Sequence, residues 1–241
     1  MRDFLGTTFI TTRAGDGGAA RVGDVMAAAA AGAHADRLFA SLCRVFRDEE
    51  HGGWRYSVDA AGRPLDPTQD LYTHAFIVFA CAAYFRRSRN AQARKLLLAT
   101  AETIESRFRM ADGRYHAALS QDWSEALRGP AQNPMMHLTE AYLAAAQVAE
   151  PALFATRLRG LAQAMSQSFL SAPTQCIAEL PQGTPGNRIE PGHQFEWAWL
   201  LVRWGSLRNN GEAIDKAKRL FEIGEEHGIC PRRKVAVMSL Y

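Results

Sequence analysis

Two histidine–glutamate pairs could do chemistry, because each places an imidazole and a carboxylate three residues apart. His193 precedes Glu196, and His137 precedes Glu140, a spacing that puts both side chains on one face of a helix. A carboxylate at one imidazole nitrogen fixes the tautomer and raises the basicity of the other nitrogen. His193 with Glu196 is therefore a candidate catalytic acid/base pair. The alternative is a helix-capping histidine with a structural partner.

Polar and aromatic residues around His137 indicate a binding site for a polar ligand. Asn133 lies four residues before His137, so both side chains can face one ligand. From spacing alone, an N-cap asparagine and a buried, hydrogen-bonded histidine are an equal alternative. Tyr72 could add a hydroxyl group, and Trp54 an aromatic face suited to a sugar ring. For both aromatic residues, packing against the fold is the competing explanation.

Neither a metal centre nor a disulfide framework is expected from the sequence. No HExxH motif is present, and two candidate ligands at helical spacing do not complete a metal site. The four cysteines lie far apart without a CxxC pair, which disfavours both structural zinc and disulfides. This usage of cysteine fits a reducing, cytoplasmic compartment.

The charge and hydrophobicity of the chain indicate a globular protein that binds neither nucleic acid nor a membrane. Of the 241 residues, 47% are hydrophobic and 22% are charged, and the net charge is only +3. The basic residues are scattered, whereas nucleic-acid binding would need a basic face or stripe. No apolar run reaches the ~18 residues that a membrane span requires, and the N-terminus lacks the pattern of a signal peptide.

The segments around His74, His137 and His193 repeat one pattern, in which a histidine opens a long apolar run. The pattern returns about every 60 residues, which is typical of a repeated pair of helices. Eight helices are predicted in four pairs: 21–31 and 35–47, 70–86 and 90–108, 134–148 and 151–169, 193–207 and 211–227.

The segments outside these helices differ in the structure that the sequence predicts for them. Residues 1–20 are expected to be poorly structured, which leaves 21–241 as the folded domain. The first predicted helix pair is separated at Gly32. The long loops 51–66 and 112–123 each have the alternation and turn residues of a short β-hairpin.

Helices of two kinds alternate, which predicts an all-α fold of the (α/α)6-toroid type. The first helix of each pair is apolar on nearly all sides, as expected of an inner helix that touches several neighbours. The second helix has one apolar stripe and one charged face, which is typical of an outer helix. The long loops would then meet at one mouth, together with the three repeated histidines.

Four motifs, NPMMHLTEAYLAA, PGHQFEWAWLL, DLYTHAF and EHGGW, resemble the sequence blocks of the N-acylglucosamine 2-epimerase family. The resemblance covers roughly residues 20–241, and the blocks fall in the family's order. It implies an (α/α)6 toroid and cofactor-free chemistry on a small sugar, of the mannose, glucose, N-acylhexosamine or disaccharide class.

The resemblance also implies a mechanism on the open-chain sugar. A histidine removes the C2 proton and forms a cis-enediol or enediolate; reprotonation at C2 gives the epimer, and reprotonation at C1 gives the ketose. Two histidines on opposite faces serve as acid and base. His193 matches one of them, with Glu196 as its partner. The family's sugar-contacting positions match Asn133, His137, Tyr72 and, less closely, Arg21.

The sequence departs from the family pattern at three places. Gly23 and Asp24 follow Arg21 where an aromatic residue is usual, and the loop before His193 is short. The family's second catalytic histidine lies beyond the matched blocks, and the predicted helices fall short of the six pairs in a closed toroid. We therefore expect a chain truncated at both ends that is weakly active or inactive alone. Its exposed apolar ends would favour association, a homodimer included.

Two alternatives stay open. A non-catalytic carbohydrate-binding or interaction protein fits the missing second histidine and the weak arginine block. A glycoside hydrolase on a similar toroid would need two carboxylates flanking the scissile bond. Asp66, Asp70 and Asp122 lie in or beside the mouth loops, but their spacing shows no clear pair.

Overall fold

The computed structural model describes residues 22–172, 174–208, 210–230, 232 and 235–236. The chain divides into two units, Met1–Val45 and Phe46–Tyr241. The segment 1–20 and Arg21, for which the sequence predicts a weakly ordered tail and a sugar contact, lie outside the described residues.

A single helix, α1 (Val22–Ser41), forms most of the described part of the first unit and continues into a π-helical segment, Leu42–Phe46. The predicted break at Gly32 is therefore wrong. A glycine inside a helix costs only about 1 kcal/mol relative to alanine, and alanines on both sides of Gly32 favour the helix. One long helix replaces the predicted first pair.

Three helix pairs make up most of the second unit. They are α2 (Leu71–Ser88) with α3 (Ala91–Thr103), α4 (Gln132–Ala146) with α5 (Pro151–Ser168), and α6 (Pro191–Arg208) with α7 (Gly211–Gly228). The first helices of the pairs pack on one another in the order α2, α4, α6, and each second helix packs on its own partner. The predicted alternation of inner and outer helices is thus confirmed. No helix in the described ranges is both long and apolar enough to cross a membrane.

Short polar turns set where the outer helices begin. The side chain of Asn90 accepts a hydrogen bond from the backbone N–H of Ala93, at 3.0 Å. Asn210 caps α7 in the same way, and Pro151 occupies the first turn of α5, where its missing N–H costs nothing. Because these turns are short, the two helices of each pair must be antiparallel.

The loops before α2 and α4 join in one antiparallel sheet rather than in two separate hairpins. Its strands are β1 (Arg55–Val58), β2 (Pro64–Asp70), β3 (Ala118–Leu119) and β4 (Ala126–Arg128), in that order. The first predicted hairpin corresponds to β1 and β2. The second pairs β3 with β4, which lies beyond the predicted range 112–123, and β2 also pairs with β3 through Gln69 and Leu119. A further small hairpin, β5 (Ile229–Cys230) and β6 (Val235–Ala236), follows α7.

The loop between α5 and α6 is held by its own backbone and by one asparagine. The amide of Asn187 accepts from the N–H of Leu180 at 2.9 Å and donates to the carbonyl of Leu180 at 2.7 Å. The N–H of Gln132 donates to the carbonyl of Glu179 at 3.0 Å, which ties this loop to the start of α4. As a result the Glu179 side chain is fixed beside the first turns of α4 and α6.

Candidate active site

A buried histidine–carboxylate pair lies where α4, α6 and the preceding loop meet. Nδ1 of His193 lies 2.8 Å from Oε1 of Glu179, and the two residues are only 9% and 6% exposed. Nε2 of His193 makes no hydrogen bond to any residue in the described part of the chain. A carboxylate at Nδ1 leaves Nε2 as the atom that can exchange a proton with a ligand.

The side chains of this cluster come from α4, from α6 and from the loop before α6. His193 occupies the first turn of α6, where its backbone N–H donates to the carbonyl of Glu190 at 3.0 Å. Gln132 is the first residue of α4, and its Nε2 lies 3.0 and 3.2 Å from the two carboxylate oxygens of Glu179. Trp197, one turn along α6, donates its indole N–H to Oε1 of Gln132 at 2.7 Å.

The predicted hydrogen bond between His193 and Glu196 is wrong. Glu196 is exposed on α6, and the place at Nδ1 that it was expected to fill is taken by Glu179. The physical reason is that the path of the loop before α6 brings the carboxylate of Glu179 next to the imidazole. A catalytic role for Glu196 itself stays a prediction.

Burial and charge act in opposite directions on the pKa of His193. Burial disfavours the imidazolium, but the hydrogen bond and the charge of Glu179, with the charges of Glu190 and Glu196, outweigh it. The pKa of His193 therefore lies above its ordinary 6.5. A histidine of this kind takes up a proton readily and can return it, which suits a general acid/base.

Three candidate ligand atoms, from Glu179, Glu190 and His193, lie within 4.8 Å of one another. They are already engaged with polar groups of the chain: Glu179 with Gln132 and His193, and Glu190 with Arg188 at 2.9 Å. We therefore describe them as a hydrogen-bonded cluster. The expectation that no metal or cofactor takes part stays a prediction.

Two of the residues predicted to bind a sugar, Tyr72 and His137, are in contact. Nδ1 of His137 lies 3.3 Å from Oε2 of Glu140, and the His137 ring packs edge-on against Tyr72, with centroids 4.7 Å apart. One turn earlier, Oδ1 of Asn133 is buried with no hydrogen-bond partner in the described part of the chain. Gln132, which contacts His193, is the neighbour of Asn133, so both groups lie at the same end of α4.

His74, the first of the three repeated histidines, is structural. It is fully buried, and its Nδ1 lies 2.8 Å from the carbonyl of Asp70 in the first turn of α2. Burial lowers the pKa of His74 to about 4, although the backbone contact with Asp70 opposes this. A histidine that stays neutral at ordinary pH and is shielded from solvent is poorly placed to exchange a proton with a ligand.

Trp54 packs into the fold, so the structure gives no support to its predicted sugar contact. It is 3% exposed, and its indole N–H donates to the hydroxyl of Thr100 on α3 at 2.9 Å. The loop tryptophan packs into the fold, which was the competing explanation. The other predicted binding residue from the early part of the chain, Arg21, lies outside the described residues.

Sequence reasoning missed Glu179, Gln132 and Trp197. Their contacts join positions far apart in the chain, so no local spacing reveals them. One signal was present: Glu179 is the single charged residue within the short apolar run CIAEL, and a carboxylate buried in such a run needs a partner.

The arrangement of inner and outer helices defines the class of α/α toroids. The chain superposes on cellobiose 2-epimerase from Bacillus thermoamylovorans B4167 with a TM-score of 0.82. The sequence identity is 18%, and the match covers 89% of this chain and 59% of that one. At this identity the likeness shows the fold alone, and the predicted all-α, α/α-toroid class is confirmed.

Sequence comparison gives the family. Residues 19–241 match the family described as N-acylglucosamine 2-epimerase (GlcNAc 2-epimerase), and the chain belongs to it. Mannose-6-phosphate isomerase of Rhizobium meliloti (strain 1021) is 35% identical over 195 residues, 76% of this chain and 49% of that protein. D-mannose isomerase of Thermobifida fusca is 32% identical over 192 residues, 71% and 46% of the two chains. The chain thus spans about half the length of these curated relatives.

Proposed function

We propose that this chain provides the proton-transfer histidine and part of the sugar-binding site of a carbohydrate 2-epimerase or aldose–ketose isomerase. The main support is the buried pair of His193 and Glu179, in which Nδ1 is held by a carboxylate and Nε2 stays free. Membership of a family of sugar epimerases and isomerases supplies the substrate class. The substrate is an aldose of the mannose, glucose, N-acylhexosamine or disaccharide class.

In the proposed reaction His193 acts on the open-chain form of the sugar. Nε2 takes the proton from C2, and the electrons of the C2–H bond form the C1–C2 double bond of an enediolate, with negative charge on O1. Return of a proton to the opposite face of C2 re-forms the C1 carbonyl and gives the epimer. Return of a proton to C1, with transfer of the O2 hydroxyl proton to O1, gives the ketose. The proton is acidic enough to be removed because it lies next to the C1 carbonyl, and a positioned base accelerates this transfer by about 10²–10⁴-fold.

The side chains around His137 are suited to hold the sugar hydroxyls. The unpaired Oδ1 of Asn133 is a buried acceptor, and a hydroxyl donor from a ligand would satisfy it. His137 keeps Nε2 for the ligand because its Nδ1 faces Glu140. Tyr72 packs on the His137 ring, which places an aromatic ring beside the imidazole.

The predicted second acid/base histidine has no counterpart placed beside His193 in the described part of the chain. With one histidine, removal of the C2 proton is possible, but delivery of a proton to the opposite face depends on solvent or on another group. We therefore expect slow exchange and weak net epimerisation from this chain by itself.

Deuterium exchange at C2 tests the proposal. The chain is incubated with mannose, glucose or N-acetylmannosamine in D₂O, and deuterium at C2 is followed by proton NMR. Exchange should occur and should fall by about 10²-fold or more in His193→Gln. His227→Gln is the matched control, because His227 lies on the surface with 57% of its side chain exposed, and it should leave exchange unchanged. Equal exchange in the His193→Gln variant would overturn the assignment of the base.

The structure gives no support to the glycoside hydrolase alternative. The carboxylate of Asp70 caps α2 and pairs with Arg128 at 2.7 Å. Asp122 accepts from neighbouring serine hydroxyls, and Asp66 accepts from the N–H of Thr68. These carboxylates are engaged with other groups of the chain. Release of reducing sugar from an oligosaccharide without C2 exchange would nevertheless favour hydrolysis, and sugar binding without exchange would favour a non-catalytic binding protein.

The predicted homodimer and cytoplasmic location also stay predictions. On α6 and α7, Trp199, Val202 and Phe221 are 49%, 44% and 47% exposed, and together they form an apolar face of the kind that favours association. Sedimentation velocity over a range of protein concentrations would show whether the chain associates. No disulfide joins two cysteines of the described residues, and the cytoplasmic location rests on the sequence alone.

A further inference from the structure

A single buried carboxylate organises the catalytic histidine. Two side-chain nitrogens of the second unit converge on Glu179: Nδ1 of His193 at 2.8 Å, and Nε2 of Gln132 at 3.0 and 3.2 Å from its two oxygens. The Glu179 side chain is only 8% exposed. A buried carboxylate is stable only when hydrogen-bond donors surround it. The two nitrogens therefore stabilise the buried charge of Glu179.

The indole of Trp197 determines which way the Gln132 amide points. An indole N–H can only donate, so the atom of Gln132 that lies 2.7 Å from it is the carbonyl oxygen. The amide nitrogen must then face Glu179 and His193. Trp197 is 3% exposed and Gln132 is fully buried, so water cannot replace the indole as the donor to the Gln132 oxygen.

The same contacts assign the tautomer of His193. If Nδ1 carried a lone pair, it would face an oxygen of Glu179 at 2.8 Å, and two acceptors would repel each other. Nδ1 therefore carries the proton and donates it to Glu179. In the other tautomer the Gln132 nitrogen, 2.6 Å from Nδ1, would donate to it. The full negative charge of Glu179 attracts the Nδ1 proton more strongly than the amide dipole of Gln132 opposes it, so the contact with Glu179 decides the tautomer. In the neutral imidazole the lone pair is left on Nε2.

We propose that Glu179, with its orientation fixed by Gln132 and Trp197, is the positioning residue for His193 in the reaction described above. Glu179 holds Nδ1–H so that Nε2 is the base, and its charge stabilises the imidazolium that forms when Nε2 takes the C2 proton. Glu179 touches no substrate in this assignment and acts only through His193. The catalytic part rests on the proposed function, whereas the tautomer and the charge effect do not.

The other two carboxylates near His193 are poorly placed for this role. Glu190 lies 3.6 Å from Nδ1, with 30% of its side chain exposed, and Arg188 holds it at 2.9 Å. Glu196 is exposed on α6. Both charges raise the pKa of His193, but neither makes the buried hydrogen bond that Glu179 makes.

Nitrogen-15 NMR of the imidazole tests this assignment without requiring turnover. The full chain is labelled at histidine, the His193 signals are identified with His193→Gln, and both ring nitrogens are followed from pH 5 to 9. The unsubstituted chain should show the Nδ1–H tautomer at high pH. Glu179→Gln keeps an acceptor but loses the charge, so the pKa of His193 should fall by about one unit or more. Glu196→Gln is the matched control and should shift the pKa much less.

Two results would overturn the assignment. One is an Nε2–H tautomer in the unsubstituted chain, and the other is a larger pKa shift in Glu196→Gln than in Glu179→Gln. If Glu179→Gln does not fold, Glu179→Asp shortens the side chain but keeps the charge. It should then retain the raised pKa while it lengthens the contact to Nδ1.

C2 exchange separates this inference from the proposed function. A correct tautomer with no exchange in the unsubstituted chain would leave Glu179 as the partner of His193 and remove the epimerase proposal. Exchange whose acid limb shifts to lower pH in Glu179→Gln would support both, because the neutral base then persists to lower pH. Exchange that is lost in His193→Gln but keeps its rate and pH profile in Glu179→Gln would remove only the role of Glu179.

Discussion

The indole N–H of Trp197 on α6 donates to the amide oxygen of Gln132 on α4, and the two atoms are 2.7 Å apart. This bond joins two inner helices at the point where the candidate base lies. Both side chains are buried, so the bond both stabilises the helix contact and sets the direction of the Gln132 amide. The stability of the fold and the geometry of the site therefore depend on the same pair of residues.

Trp197→Phe should weaken both properties. The variant keeps an aromatic ring but leaves the buried oxygen of Gln132 without its donor, which costs about 1–3 kcal/mol. The freed amide can also turn its oxygen toward Glu179, so C2 exchange should slow. The measurements are urea unfolding and C2 exchange of the same preparations.

Trp204→Phe is the control for this change. The indole nitrogen of Trp204 is buried with no hydrogen-bond partner in the described residues, so its removal breaks no such bond. The same substitution should therefore cost less stability at Trp204 than at Trp197 and leave exchange unaltered. Equal losses in the two variants would show that ring volume, not the hydrogen bond, matters.

Asn133→Ala should separate ligand binding from folding. Oδ1 of Asn133 is buried and unpaired, so its loss should change the free energy of unfolding by no more than about 0.5 kcal/mol. If this oxygen accepts a sugar hydroxyl, sugar affinity should fall about tenfold, which corresponds to about 1.4 kcal/mol. Calorimetry with the sugar and urea unfolding measure the two effects.

Asn187→Ala, unlike Asn133→Ala, should lower the stability of the fold. Asn187 donates to and accepts from the backbone of Leu180 and so holds the loop that contains Glu179. Its removal should lower the free energy of unfolding by about 1–3 kcal/mol. A stability loss in Asn133→Ala as large as that in Asn187→Ala would contradict the assignment of Asn133 as a ligand contact.

The helix pairs were predictable from the sequence because their signal is local. The apolar run that follows His137 and the polar turn at Asn210 are both patterns of neighbouring residues. The structure has a helix over the run and a helix that begins after the turn. The predicted break at Gly32 was wrong because one glycine among alanines is too weak a signal to end a helix.

The contacts that complete the site could not be predicted, because they join distant parts of the chain. His193 and Glu196 have the spacing of a helical pair, but the partner of His193 is Glu179, which arrives through the path of a loop. The pairing of Gln69 with Leu119 likewise depends on two loops meeting. Spacing along a helix gives the face on which a side chain lies, and it does not give what another segment brings to that face.

The pH dependence of stability should show the buried state of His74. Its pKa in the folded chain is about 4, below the ordinary 6.5, so the unfolded chain binds a proton that the folded chain does not. The resulting stability is present above pH 6.5 and is lost as the pH falls toward 4. Each unit of difference in pKa corresponds to about 1.4 kcal/mol.

Urea unfolding at pH 7 and at pH 5 measures this effect. His74→Phe removes the titrating group, so the variant should lose less stability than the unsubstituted chain between the two pH values. Its absolute stability will also change, because the contact to the Asp70 carbonyl is lost, and the pH-dependent difference is therefore the readout. Parallel losses in the two proteins would show that His74 does not cause the acid sensitivity.

Gly53 should be the least replaceable glycine of the loop that covers His74. Its φ is +79°, and a β-carbon built there would lie 2.6 Å from Oε1 of Gln69, 2.7 Å from Cζ2 of Trp123 and 2.9 Å from Nε2 of His74. Gly53→Ala therefore combines backbone strain with a steric clash against buried groups. Overpacking of this kind costs about 1–3 kcal/mol.

Gly52 is the matched control, because it has nearly the same backbone conformation without the crowding. Its φ is +77°, and no atom lies within 4 Å of a β-carbon built there. Gly52→Ala should show the backbone strain alone, so thermal unfolding should find Gly53→Ala the less stable variant. Equal stability of the two variants would mean that the loop moves away from His74 at little cost, and that the close contact of Gly53 with Trp123 and His74 does not hold the fold together.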